Sequence, residues 1–269
     1  MHCFLCHGRQ FATVYSSILW DILRCQNCGI FLKRLNKPQT VNLYDSQYYD
    51  DYPYSNFFKL NQNYFKNKVR TIKKYTSASN PYILDAGCGW GDFLNVVKGE
   101  KLPYLGIDLS PAAIAICKNK NLLTKKASFE DLLKEKMMFD AIVSFQTIEH
   151  IKDPILFLKM ARQVLAPKGI ILLTSPNNNS PLRYILREKW SVYNIDSHFT
   201  FFNKETLKMT LEKVGFINVK VRVDSPRFFS IGYILSRLRK MKYDIRNTIY
   251  EIPIPTDPLG DLEAVGFKP

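Results

Sequence analysis

The sequence predicts an α/β fold: a mostly parallel sheet covered by helices on both faces, preceded by a small cysteine-bearing module. Three observations predict it. From Pro81 onward, short apolar runs alternate with helical patterns, as in chained strand–helix–strand units. The stretch Ile83 to Leu94, ILDAGCGWGDFL, sets an acidic residue and three alternate glycines between a buried strand and a helix start. Two C-x-x-C pairs, Cys3/Cys6 and Cys25/Cys28, stand near the N-terminus.

The totals fit one large domain with a small module. The chain has 269 residues, 46% of them hydrophobic, which suits a globular core and excludes wholesale disorder. The formal net charge is +14. Such a balance suits nucleic acid, an anionic membrane surface or anionic substrates, but the lysines are scattered, and a solvated basic surface accounts for them equally well. No apolar run approaches the ~18 residues of a membrane span, and no basic, apolar, small-residue leader pattern opens the chain. A cytoplasmic protein is expected, either free or peripheral to the inner face of the membrane. In that compartment six cysteines suggest metal before disulfides.

The cysteine module, residues 1–35, is read as a zinc ribbon. The 18 residues from His7 to Arg24 separate the pairs, inside the spacing window of zinc sites. Four thiolates from Cys3, Cys6, Cys25 and Cys28 fill a tetrahedron and leave no open position, so the ion would be structural. FATVYSS and ILWDILR read as short strands between the pairs. The alternative is a small sheet with unliganded cysteines. Residues 36–80 form a linker: a tyrosine- and aspartate-rich segment, then a helix with Leu60, Tyr64, Val69, Ile72 and Tyr75 near one face.

The domain from 81 to 269 follows. After the glycine loop a helix starts near Asp92. YLGIDLS is the second strand, ending in Asp108, at the distance where an acid can accept ribose hydroxyls. Ser110 is a natural N-cap with Pro111 at the first helical position. Leu122 to Lys126 makes a weak third strand and FDAIVSF a strong fourth. A helix from Asp153–Pro154 runs to Leu165, closed by Pro167-Lys168-Gly169. GIILLTSP is the fifth strand. Asn203 caps a helix through Val214, and FINVKVRV and DLEAVGF are the last two strands.

LDAGCGWGDFL, LGIDLS, FDAIVSFQTIEHIKDP, GIILLTSP and SHFTFFNKETLKMTLEKVGF together resemble the class I S-adenosylmethionine-dependent methyltransferases, in the branch with an N-terminal zinc ribbon. The resemblance covers almost the whole chain and implies a Rossmann-like seven-stranded sheet, mostly parallel, with an antiparallel last strand. It implies that Asp85 and the amides around Gly87, Cys88, Gly89 and Gly91 hold the methionine part of the cofactor. Asp108 would bind the ribose and Leu109 would lie against the adenine. Ser128 and Phe129 would edge the adenine, and Gln146 would line the floor near the sulfonium. The residue chemistry agrees: a methionine zwitterion needs acceptors as well as donors, so Asp85 at the loop mouth favours it over a pyrophosphate. A nicotinamide-dependent oxidoreductase is the alternative reading of the loop.

Methyl transfer from a sulfonium asks the protein mainly to position nucleophile and methyl group, but a hydroxyl acceptor also needs a base. The candidates are Glu149, His150 and His198. His198, in the segment WSVYNIDSHFTFF, is the preferred base, while His150 could equally be a helix-cap histidine. In some relatives E-x-x-E-H after the fourth strand binds a divalent metal; Gln146 replaces the first carboxylate here, so no such metal is expected. The acceptor is expected to be a small molecule or glycan, methylated on oxygen or carbon. A nucleic-acid or protein methyltransferase is the alternative. The ribbon argues against nucleic acid, because Arg9, Arg24, Lys33 and Arg34 are its only basic residues. Residues 228–242, FFSIGYILSRLRKMK, read as an amphipathic helix. It would meet an anionic membrane, or pack on its own domain or on a second subunit in a homodimer.

Overall fold

The structure, a computed structural model, describes residues 1–36, 55–230, 253–255 and 259–269. The N-terminal module is an antiparallel sheet of β1 (Phe11–Ser16), β2 (Trp20–Cys25) and β3 (Phe31–Leu35). The third strand is absent from the sequence reading, because Lys33 and Arg34 interrupt its apolar pattern. Its outer edge is not open: β9 (Thr200–Phe201) adds to it, Phe31 opposite Phe201 and Leu32 opposite Thr200. An unpaired strand edge exposes a row of N–H and C=O groups, and this one is closed by the main domain.

The main sheet has seven strands: β4 (Ile83–Ala86), β5 (Tyr104–Asp108), β6 (Thr124–Lys126), β7 (Phe139–Phe145), β8 (Leu165–Pro176), β10 (Ile217–Val223) and β13 (Asp261–Phe267). Their order is β10-β13-β8-β7-β4-β5-β6. All neighbouring pairs from β6 to β8 are parallel, and β13 is antiparallel to both its neighbours. The expected sheet, with its antiparallel last strand, is the one observed. The chain reverses direction between β4, with β5 on one side and β7 on the other. This is the switch point where α/β sheets place their ligands.

Helices cover both faces. On one lie α1 (Ser55–Tyr75), α2 (Asp92–Gly99) and α3 (Pro111–Asn119), with Phe65, Val69 and Ile72 packed on Phe93, Val97 and Ile83. On the other lie α4 (Phe129–Lys134), α5 (Pro154–Val164) and α7 (Lys204–Lys213). The cysteine module joins that second core through Cys3, Leu5, Cys25, Ile30 and Leu32. A further short helix, α6 (Pro181–Leu186), follows β8.

Two features lie outside the apolar periodicity. Lys68, on the buried face of α1, donates 2.6 Å to Glu263 and pairs with Asp224, which also accepts from the Tyr64 hydroxyl at 2.6 Å. Burying these charges is costly unless each is paired, and here the lysine meets two carboxylates and ties α1 to the sheet end. The second feature is the start of β8. The sequence places Leu165 at a helix end and a turn at 167–169; instead the strand already begins at Leu165. Phe139 pairs with Leu165 but Ala141 with Ile170, so the extra residues bulge out, with Lys168 in the left-handed region at φ 61°. The turn residues are thus absorbed within one irregular strand.

The start of the 228–242 segment also departs from its reading. Phe228–Ser230 forms β11, paired antiparallel with β12 (Pro253–Pro255) rather than starting a helix. The rest of that segment, with Arg237, Arg239, Lys240 and Lys242, and the tyrosine-rich stretch 37–54 lie outside the described residues.

Candidate active site

The glycine loop leaves β4 and enters α2. Gly87, Gly89 and Gly91 all take left-handed φ values of 82°, 49° and 75°, which L side chains adopt only under strain. Their surroundings differ. A Cβ on Gly87 would sit 2.6 Å from Thr147 Oγ1, and one on Gly91 would overlap Leu122. A Cβ on Gly89 would meet nothing within 4 Å. Two glycines therefore serve packing, and the middle one faces open space. Cys88 is buried behind the loop, near Cys117, whose thiol donates to the Gly89 carbonyl at 3.2 Å.

Three carboxylates surround this loop. Asp85, 3% exposed at the end of β4, is held well above the usual carboxylate range by burial and by the nearby Asp108 and Asp92. A cationic amine placed there would reverse that penalty, as the ammonium of a methionine would. Asp108 accepts from the Gly89 amide at 3.0 Å and the Ser110 amide at 2.8 Å, so it fixes the loop and keeps lone pairs for a diol. Leu109 beside it is 46% exposed, an apolar platform fit for a ring. Asp92 is tied to Lys120, which also donates 2.8 Å to the Trp90 carbonyl.

Ser128 and Phe129 offer less than the sequence suggests. The Ser128 hydroxyl and Asp131 close a capping box at the start of α4, and the Phe129 ring is buried edge-on against Phe157 at 5.1 Å. Their side chains are committed to the fold, which leaves backbone groups for an adenine edge.

Beyond β7 the chain turns sharply. Gln146 has φ 51°, uncommon for a non-glycine residue, and its amide donates to the Thr174 carbonyl at 3.0 Å. Thr147, which abuts Gly87, leads into a 3-10 turn, Ile148–His150. There Glu149 is 1% exposed, and neither carboxylate oxygen has a hydrogen-bond partner among the described residues. Burial pushes its carboxyl up to about 8. His198 is 4% exposed with an unpartnered Nδ1, and burial holds it well below the usual histidine range. His150 accepts or donates at Ser197 Oγ, 2.9 Å from its Nδ1, and burial lowers it to about 4. The two imidazoles stand edge to face with centroids 4.5 Å apart.

Glu149, His150 and His198 thus meet, although His198 is distant in sequence. Each offers a ligand atom within 4.8 Å of the others. Buried polar atoms without partners are rare, and the Glu149 carboxylate oxygens and His198 Nδ1 are among those of the described residues. Only the residue types were legible in the sequence. The role of Ser197 and of Lys33, whose backbone and side chain both reach the 195–199 turn, carried no sequence signal.

The four cysteine sulfurs form a second cluster. Cys3–Cys28 and Cys6–Cys25 are each 3.5 Å apart, and all four lie within 4.8 Å of one another. A tetrahedron with ~2.3 Å zinc–sulfur bonds has edges of about 3.8 Å, so the donor set and spacing fit zinc. Cys25 is lowered to about 7: burial opposes this, but the Cys28 and Asn27 amides and the Cys6 thiol outweigh it. Burial raises Cys3 and Cys28.

A family model described as a methyltransferase domain matches residues 59–221. The chain is similar to a ubiquinone biosynthesis O-methyltransferase of Pelagibacter ubique, 28% identical over 134 residues, 46% of this chain and 56% of that protein. It is also similar to a ubiquinone biosynthesis O-methyltransferase of Coxiella burnetii, 25% identical over 118 residues, 42% of this chain and 50% of that protein. The chain thus matches about half the length of these curated relatives. Among solved structures, an S-adenosylmethionine-dependent methyltransferase from Archaeoglobus fulgidus aligns with TM-score 0.59 at 21% identity, covering 83% of this chain and 100% of that one. The Haemonchus contortus phosphoethanolamine N-methyltransferase 2, in complex with S-adenosyl-L-methionine, aligns with TM-score 0.54 at 16% identity, covering 89% and 63%. These two likenesses are of fold.

Proposed function

Because this chain belongs to the methyltransferase-domain family, and is an S-adenosylmethionine-dependent methyltransferase, we propose that it methylates a hydroxyl of a small molecule, with His198 as the base. The observation that carries this reading is the meeting of the buried Glu149 carboxylate and His198 Nδ1, neither with a partner among the described residues, with Glu149 two residues past Thr147, which abuts the glycine loop. At neutral pH, burial keeps the imidazole unprotonated and the carboxyl protonated. A neutral imidazole can take the proton as the hydroxyl oxygen attacks the methyl carbon, and the sulfonium leaves as a neutral thioether. The curated relatives named O-methyltransferases support the same choice of atom.

On this reading Asp85 and the amides of Gly87, Cys88, Gly89 and Gly91 hold the methionine part of the cofactor. Asp108 holds the ribose, Leu109 and the backbone at Ser128–Phe129 border the adenine, and Gln146 faces the sulfonium. Zinc on Cys3, Cys6, Cys25 and Cys28 would supply cross-links that a module of this size needs to fold. Elemental analysis of purified protein should give one zinc per chain; none would refute the site. Among the described residues no helix is long and apolar enough to cross a membrane.

The test is transfer of labelled methyl from S-adenosylmethionine to a panel of phenols, sugar hydroxyls and carbon acids, read by mass spectrometry. Phenol or alcohol products that fall ~10²–10⁴-fold in His198→Ala are expected. Products on carbon only, or turnover indifferent to His198, would overturn the reading.

A further inference from the structure

The cysteine module does more than pack beside the domain. Its β3 reaches the turn Ile195–Phe199, and one residue makes both connections. The Lys33 amide donates to the Phe199 carbonyl at 2.9 Å, and the Lys33 ammonium donates to the Ile195 carbonyl at 2.6 Å. The turn in turn touches every member of the buried trio. His198 lies within it, and its amide donates to the same Ile195 carbonyl at 3.0 Å. Ser197 Oγ meets His150 Nδ1 at 2.9 Å, and the Phe199 amide donates to the Glu149 carbonyl at 2.8 Å. We propose that Lys33 is a positioning residue of the acceptor site, clamping both ends of the turn that sets His198 and His150 in place.

A merely structural residue here would be expected to be apolar. Lys33 is 6% exposed, its ammonium lies 5.7 Å from the Trp20 ring centroid and 6.0 Å from that of Phe201, and a methionine would fill the same space. Burying an ammonium is costly, and replacing buried charge by apolar side chains is often neutral or stabilising. Burial indeed lowers Lys33 to about 8, with Asp196 opposing it. What methionine would lose is the hydrogen bond to Ile195 and a cation whose charge acts on both histidines, and neither is needed to fill the core.

The proposal rests on the reading that the trio faces the acceptor, but its test does not require an acceptor. The chain has four histidines, so each imidazole can be followed by carbon–proton NMR, with His2 and His7 in the cysteine module as internal controls. Lys33→Met should displace the His150 and His198 signals, leave those of His2 and His7, and leave S-adenosylhomocysteine affinity unchanged by calorimetry. Unmoved His150 and His198 signals would overturn the proposal. So would displacement of all four signals or loss of cofactor binding, since Lys33 would then support the fold at large. Should Lys33→Met not fold, Lys33→Gln carries the test: its shorter side chain leaves the Ile195 carbonyl without the ammonium donor, so it should displace the same two signals, and a folded glutamine variant with wild-type signals overturns the proposal. Failure of the base reading shows separately, as turnover that survives His198→Ala.

Discussion

At the scale of single residues, the loop glycines separate two demands that look alike in sequence. Gly91→Ala drives a Cβ into Leu122, so it should lower stability by several kcal/mol, through overpacking of ~1–3 kcal/mol and left-handed strain of ~1–2 kcal/mol. Gly89→Ala meets open space and should cost only the strain, yet should block the cofactor's approach. Thermal melts paired with cofactor titrations check both: Gly91→Ala loses melting temperature first, Gly89→Ala loses binding first. Glu149 gives a pH test. Folded, it ionises near pH 8 because of burial; unfolded, it ionises near pH 4.3. Between those values the folded chain holds the extra proton, so stability falls as pH rises, by at most about 1.4 kcal/mol per pH unit. Glu149→Gln should therefore melt close to wild type near pH 4 and above it near pH 8; equal melting temperatures at pH 8 would show that the anion is compensated. The sequence made Glu149, His150 and His198 visible as residue types. It could not show that they meet, because a fold, not a spacing, brings residue 198 to residue 150.

At the scale of elements, apolar periodicity made most of the sheet and helices legible, and charge hid the rest. β3 escaped notice because Lys33 breaks its apolar run, although the lysine is itself buried. The inward face of α1 is half visible in sequence: Tyr64, Val69 and Ile72 lie on the expected apolar face and are buried, while the equally buried Lys68 falls outside the apolar pattern. Its partners, Asp224 and Glu263, sit far along the chain, so no local pattern could announce them. Lys68→Met leaves two buried carboxylates with fewer partners and should destabilise by ~3–5 kcal/mol. Chemical denaturation measures it, and a loss under 1 kcal/mol would mean that Arg222, already 2.6 Å from Glu263, absorbs the change. The bulge at the start of β8 was misread as a turn for the opposite reason: Pro167-Lys168-Gly169 is turn chemistry, and the structure uses it inside a strand.

At the scale of the whole molecule, the cysteine module and the main sheet share one core, and β9 closes the module's edge. Chelation of the metal proposed there should lower the melting temperature of the domain in a single transition. Two transitions would mean the module unfolds alone. The active site proposed here combines a glycine loop with one open glycine, two acids at adjacent strand ends, and a buried trio beyond β7. The most direct test of that account is a calorimetric titration with S-adenosylmethionine, with NADH as the competing cofactor and Asp108→Ala as the variant. The account predicts micromolar binding of S-adenosylmethionine, roughly −8 kcal/mol, weakened by ~1–3 kcal/mol in the variant, and no binding of NADH. Tight binding of NADH with none of S-adenosylmethionine would contradict it.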